Sequence, residues 1–102
     1  MTPKLQPLSA TDAAMGLTDL PGWAIIDGML TKSYETNGWP FTMLVVGAIA
    51  FLAESADHHP DLLVTWPQVT VKLSTHDAGG LTVKDFELAR KIDQAVRTRL
   101  VK

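Results

Sequence analysis

Cysteine is absent from all 102 positions. That excludes disulfides, thiolate nucleophiles and cysteine-ligated zinc or iron–sulfur centres, and it suits a reducing, cytoplasmic setting. Neither charge dominates: nine Lys and Arg against eleven Asp and Glu give a formal net charge of −2. No basic surface is therefore expected to hold nucleic acid directly. A glycine-rich phosphate loop is also missing. The start, Met1-Thr2-Pro3-Lys4, lacks the apolar stretch of a secretory signal. The longest largely apolar run, Phe41 to Ala53, is followed closely by Glu54 and Asp57 and is shorter than the roughly 20 residues of a membrane span. It reads as a buried helix, with no membrane partner. No repeat, linker or low-complexity tract interrupts the chain, so residues 1–102 read as one domain.

What the sequence does have is clear apolar patterning. Ser9-Ala10-Thr11-Asp12 has capping-box spacing, with Asp in place of the usual Glu or Gln, and predicts a short helix ending near Gly16. Pro21-Gly22 marks a turn. Trp23 to Ile26 reads as a strand, and Asp27-Gly28 is a type I′ hairpin signal, because that turn needs positive φ at both central positions. Met29 to Glu35 returns, with Leu30, Lys32 and Tyr34 on one face and Thr31, Ser33 and Glu35 on the other. Asn37-Gly38 breaks it. A helix is expected from about Pro40 to about Ser55, with Leu44, Val45, Ala48, Ile49 and Leu52 as its apolar stripe and Met43, Val46, Ala50 and Phe51 covering much of the rest. A helix apolar nearly all round is buried on more than one side; here one side meets its own sheet and the other either a second subunit, predicting a homodimer or homotetramer, or loops of its own chain. Asp61 to Thr65 is a short strand and Gln68 to Thr75 a clear one, since Val69, Val71 and Leu73 alternate with Thr70, Lys72 and Ser74. Gly79-Gly80 turns the chain into a second capping-box-like start at Thr82-Val83-Lys84-Asp85. The last helix carries Phe86, Ala89, Ile92, Val96 and Leu100 on one side, and Arg97, Arg99 and Lys102 where positive charge suits the helix dipole. The order helix-β-β-helix-β-β-helix gives the α+β class, two-layer, with a four-stranded antiparallel sheet and helices packed on one face.

All three histidines lie in two places. His58-His59-Pro60 follows the long helix, and His76 sits in Ser74-Thr75-His76-Asp77-Ala78-Gly79-Gly80, just beyond the clear strand. Imidazole has the ordinary pKa nearest neutrality, so it gives or takes a proton at working pH. A helix end and a strand end can meet at one edge of such a sheet, and three imidazoles there would make a proton-transfer site. Taken singly, each histidine is accounted for as a helix C-terminal cap or the partner of a buried carbonyl. The set, not any member, points to chemistry. A metal centre is not expected, because adjacent histidines are poor co-ligands and neither H-x-H nor H-x-x-x-H occurs.

Glu54-Ser55-Ala56-Asp57-His58-His59-Pro60, then five residues, Trp66, nine residues, His76, eight residues and Asp85, resembles the signature of the pterin-4a-carbinolamine dehydratases. The stretch Leu73 to Thr82 and Leu20-Pro21-Gly22-Trp23 also look like that family, and the likeness runs from about Leu8 to Val96. The chain departs from it in Asn37-Gly38-Trp39-Pro40-Phe41-Thr42, where the family often has a Phe-x-x-Phe-like approach to its central helix. The resemblance implies dehydration of a 4a-hydroxytetrahydropterin to a quinonoid dihydropterin, in the recycling of tetrahydrobiopterin for aromatic amino acid hydroxylases. It needs no cofactor, redox group or metal. It implies a catalytic set of His58, His59 and His76, with His58 and His76 as the acid–base pair and His59 chiefly orienting the pterin. Asp57, Ser74, Thr75 and Asp77 would line the substrate site and Pro60 would fix the chain direction after the histidine pair. Glu54 and Asp85 would be supporting residues that set a histidine tautomer, although helix capping accounts for Asp85 equally well, a solvated helix acid accounts for Glu54, and Trp66 reads as core or turn packing. Two alternatives remain: a non-catalytic dimerisation or transcriptional coactivator-type module on the same scaffold, as family members in animals partner a homeodomain transcription factor; and the same chemistry on another pterin, such as one on a molybdopterin pathway.

Overall fold

Ser9 caps the first helix, α1 (Ala10–Gly16), its side chain accepting the Asp12 N–H at 3.1 Å in the computed structural model, which describes residues 6–97. Gly16 lets α1 settle against the last helix: a β-carbon there would lie 2.7 Å from the Phe86 ring. The first hairpin joins β1 (Ala24–Ile26) to β2 (Met29–Glu35). Asp27 and Gly28 take φ values of 52° and 76°, the positive pair a type I′ turn requires. The long helix α2 (Trp39–Ala56) leads to a second hairpin, β3 (Asp61–Thr65) and β4 (Gln68–Leu73), and then to α3 (Val83–Ala95). Strand order is β1-β2-β4-β3 and every pairing is antiparallel. The expected α+β architecture is the one the chain adopts.

Strand alternation places the core. Leu30 pairs with Leu73, Lys32 with Val71 and Tyr34 with Val69. Leu30, Val69, Val71 and Leu73 are fully buried, together with Val45 and Ile49 of α2 and Leu88, Ala89 and Ile92 of α3. Ser33, Glu35 and Lys72, on the other sheet face, are exposed. Burying each large aliphatic side chain contributes about 1.5–3 kcal/mol, so the helix-covered face of the sheet fixes the register.

Four expectations need correction or completion. The last strand ends at Leu73 rather than Thr75, because the β2–β4 ladder runs out at the Leu30–Leu73 pair and Thr75 instead bridges Gly80. The stripe on α2 is rotated. Thr42, Val45, Ile49 and Ala53 face inward, whereas Leu44 is 54% exposed. Thr42 sets this rotation by donating its hydroxyl to Trp66 O at 2.6 Å and meeting the Thr36 hydroxyl. The Trp66 indole is exposed rather than in the core, and it is the Trp66 carbonyl that ties the second hairpin to α2. Finally, α2 extends beyond the apolar run to 18 residues and by length and composition alone matches a membrane span, although its inward stripe packs into the core shared with the sheet and α3. Leu100, Arg99 and Lys102 lie outside the described residues.

A polar network joins α3 to the sheet. Asp93 receives Lys32 Nζ at 2.8 Å and the Tyr34 hydroxyl at 2.5 Å on Oδ1, and Arg97 Nη2 at 3.2 Å on Oδ2. Burial alone would push the Asp93 carboxyl up, but hydrogen bonds from Lys32 and Tyr34 more than reverse that and hold it below the ordinary value. Burial, reinforced by the bond to Asp93, pushes the Tyr34 phenol far up, so it stays a donor. A depressed folded pKa stabilises the fold above the unfolded carboxylate value, near 3.9, and that stability is lost as pH falls through the folded value. Asp93→Ala is expected to cost about 3 kcal/mol at neutral pH, since it strands buried donors. In urea unfolding the gap to wild type should narrow below about pH 4; a gap independent of pH would remove Asp93 as the responsible charge.

Candidate functional site

α2 ends in a Schellman turn. Asp57 adopts left-handed backbone, φ 51°, its N–H reaching Glu54 O at 3.2 Å and the His58 N–H reaching Ala53 O at 3.1 Å. Glycine is the usual residue at such a position, and a side chain there costs about 1–2 kcal/mol. The turn separates the adjacent histidines: His58 is only 8% exposed, while His59 faces solvent.

His58 Nε2 lies 2.5 Å from Asp85 Oδ1. Asp85 is fully buried, one turn into α3. Its Oδ2 accepts the Thr75 hydroxyl at 2.8 Å and the Thr82 N–H at 2.9 Å. The latter bond and the Thr82 side chain complete a capping box, so this carboxylate both caps the helix and holds a histidine. An ionised carboxylate only accepts hydrogen bonds; His58 Nε2 therefore carries the hydrogen, and Nδ1 has the lone pair when the ring is neutral. His59 Nε2 lies 2.9 Å from Glu54 Oε1, with the two side chains 58% and 83% exposed. Water screens such a pair, which orients the ring more than it stabilises the fold.

The chain beyond β4 forms the facing wall. Thr75 bridges Gly80, and between them His76–Ala78 make a single 3-10 turn closed by Gly79 at φ 76°. His58, His59 and His76 all line one open cleft of about 470 Å³, with Asp57 beside the histidine pair and Ser74, Thr75 and Asp77 around His76. Such a volume lies in the range of small-molecule sites. Glu54, Pro60 and Asp85 are outside the lining: Glu54 touches His59, Asp85 touches His58, and Pro60 leads into β3. Lys84 also lines the cleft, and Thr82 bonds Thr75 hydroxyl to hydroxyl at 2.8 Å. In the sequence both stand in a capping-box-like helix start, and Thr82 also closes the Leu73–Thr82 stretch. A lysine in the first turn, at the positive end of the dipole, was the available signal for the first. Among the described residues, no group of three or more His, Asp or Glu side chains is arranged to hold a metal ion.

The model of the family described as Pterin 4 alpha carbinolamine dehydratase matches residues 6–95. A protein of Aquifex aeolicus, provisionally named a pterin-4-alpha-carbinolamine dehydratase, is 43% identical over 91% of this chain and 94% of its own. One of Roseiflexus castenholzii with the same name is 48% identical over 78% and 86%. The crystal structure of a transcriptional coactivator/pterin dehydratase from Brucella melitensis superposes with a TM-score of 0.83 at 28% identity, covering 87% of this chain and 97% of that one.

Asp85→Ala should lower stability by about 3 kcal/mol, well beyond the ~1 kcal/mol of a lost cap. Urea denaturation measures this, and a loss confined to about 1 kcal/mol would mean that the carboxylate does nothing for buried His58.

Proposed function

Because the chain belongs to the pterin 4 alpha carbinolamine dehydratase family, we propose that it dehydrates a 4a-hydroxytetrahydropterin by proton transfer between imidazoles of the cleft. The observation that carries this reading is the placement of His58, His59 and His76 on one cleft with His58 held from behind by Asp85. The reaction breaks the C4a–O bond and removes the N5 hydrogen, giving quinonoid dihydropterin and water. One group protonates the departing hydroxyl and another takes the N5 proton, so no electrons leave the substrate.

His58 suits the base. Its Nε2–H is committed to Asp85, which leaves Nδ1 as acceptor, and the buried carboxylate stabilises the imidazolium that forms, as the aspartate does in a Ser-His-Asp triad. His76, on the exposed loop opposite, suits the acid. His59, steered by Glu54, orients the ring system, while Asp57 and the Ser74–Asp77 segment offer polar contacts. In recycling, the product would be reduced again for aromatic amino acid hydroxylases.

A second reading, a coactivator-type or dimerisation module, is favoured by two observations. The Brucella melitensis protein is named for both roles, and α2 exposes Met43, Leu44 and Phe51, the last at 72%. That apolar face also supports a homodimer or homotetramer.

Stopped-flow absorbance should show the protein accelerating loss of the 4a-carbinolamine, with His58→Ala and His76→Ala each slower by about 10²–10⁴. Wild type no faster than the spontaneous reaction would end the enzyme reading and leave the module. Sedimentation at micromolar concentration should give a dimer or tetramer, and a strict monomer would contradict a self-association role for the α2 face.

A further inference from the structure

Lys84 breaks a local rule. It occupies the second position of α3, after Thr82 and Val83, where unpaired backbone N–H groups and the macrodipole disfavour a cation. Residues that defy local preference without a local gain mark functional places. Its ammonium does not turn back to its own helix. It crosses the cleft wall to the Asp57 carbonyl, 3.4 Å away, 27 positions earlier in the chain. The helix that gains is α2, since Asp57 is its left-handed C-terminal residue and a cation favours a helix C-terminus.

Asp57 is the hinge from which His58 and His59 diverge, and its backbone conformation is one that a side chain disfavours. Asp85 restrains the His58 ring, and Lys84 reaches the main chain just before it. We propose that Lys84 is a positioning residue for the dehydration: it clamps the Asp57 turn, so that the histidine pair faces His76 at the spacing the reaction requires. The inference rests on the dehydratase reading for its kinetic consequence and on the Lys84–Asp57 contact for its structural one.

Lys84→Met keeps the length of the side chain and removes its charge; Lys84→Arg restores the charge. The Met variant should lose up to about 100-fold in kcat, the scale of a 1 Å misplacement of reacting groups, with KM changed much less. The thermal midpoint should hold or rise, because an unfavourable charge leaves the α3 N-terminus. Amide exchange at Asp57 and His58 should quicken, and Lys84→Arg should recover most of the rate. A Met variant with wild-type kcat overturns the clamp, as does a rate lost together with the thermal midpoint. A slower rate with unchanged exchange at Asp57 and His58 also overturns it, in favour of direct contact with substrate. If wild type has no dehydratase activity the functional reading falls, and the exchange comparison by itself still decides whether the clamp exists.

Discussion

The buried carboxylate of Asp85 is the constraint on which the site depends. Its two oxygens bind three parts of the chain: the end of α2 through His58, the end of β4 through Thr75, and the start of its own helix through the Thr82 N–H. A carboxylate removed from water carries a large desolvation penalty, which several hydrogen bonds and the positive end of a helix offset. No separate scaffold is needed to bring the helix terminus and the strand terminus together. The residue that starts α3 is the residue that seats the imidazole.

α3 carries a second buried acid about two turns further on, and the two are used differently. Asp93 sits away from the helix N-terminus and is matched by Lys32, Tyr34 and Arg97; it anchors the helix to the middle of β2. Asp85 is matched instead by the Thr75 hydroxyl, the Thr82 N–H and the His58 imidazole. That difference commits Oδ1 of Asp85 to the His58 ring. One helix therefore presents an ion network to the sheet and a buried carboxylate to the imidazole at the end of α2.

The sequence carries most of this arrangement openly. Asp27-Gly28 specifies its turn through backbone sterics, Thr82 and Asp85 specify a helix start through local hydrogen bonds, and the Val69-Val71-Leu73 alternation specifies a face. These are short-range effects, and all are found in the fold. Long-range determinants were not legible. The rotation of α2 is set by the Thr42 hydroxyl reaching Trp66 O, 24 positions away, a contact that no periodicity encodes, so Leu44 was turned the wrong way. The early end of β4 depends on where β2 runs out. At the site, the histidines and their neighbours stood out by residue type. That Asp85 combines capping with holding His58 depends on a pairing between two helices, and the part played by Lys84 on its lying against the end of a helix 27 positions earlier.

The walls of the cleft are unequally bound to the rest of the molecule. Exchanging His58 takes the partner from Oδ1 of a buried acid, so its wall is tied to the folding of the core. The opposite wall is a single 3-10 turn hung between Thr75 and Gly80, with His76 and Asp77 exposed on it. Insertions or altered side chains in that turn would meet solvent rather than core. An evolving lineage, or an engineer, would thus find new contacts cheap to explore at Asp77 and Ala78 on the loop side, while the wall that holds His58 stayed locked.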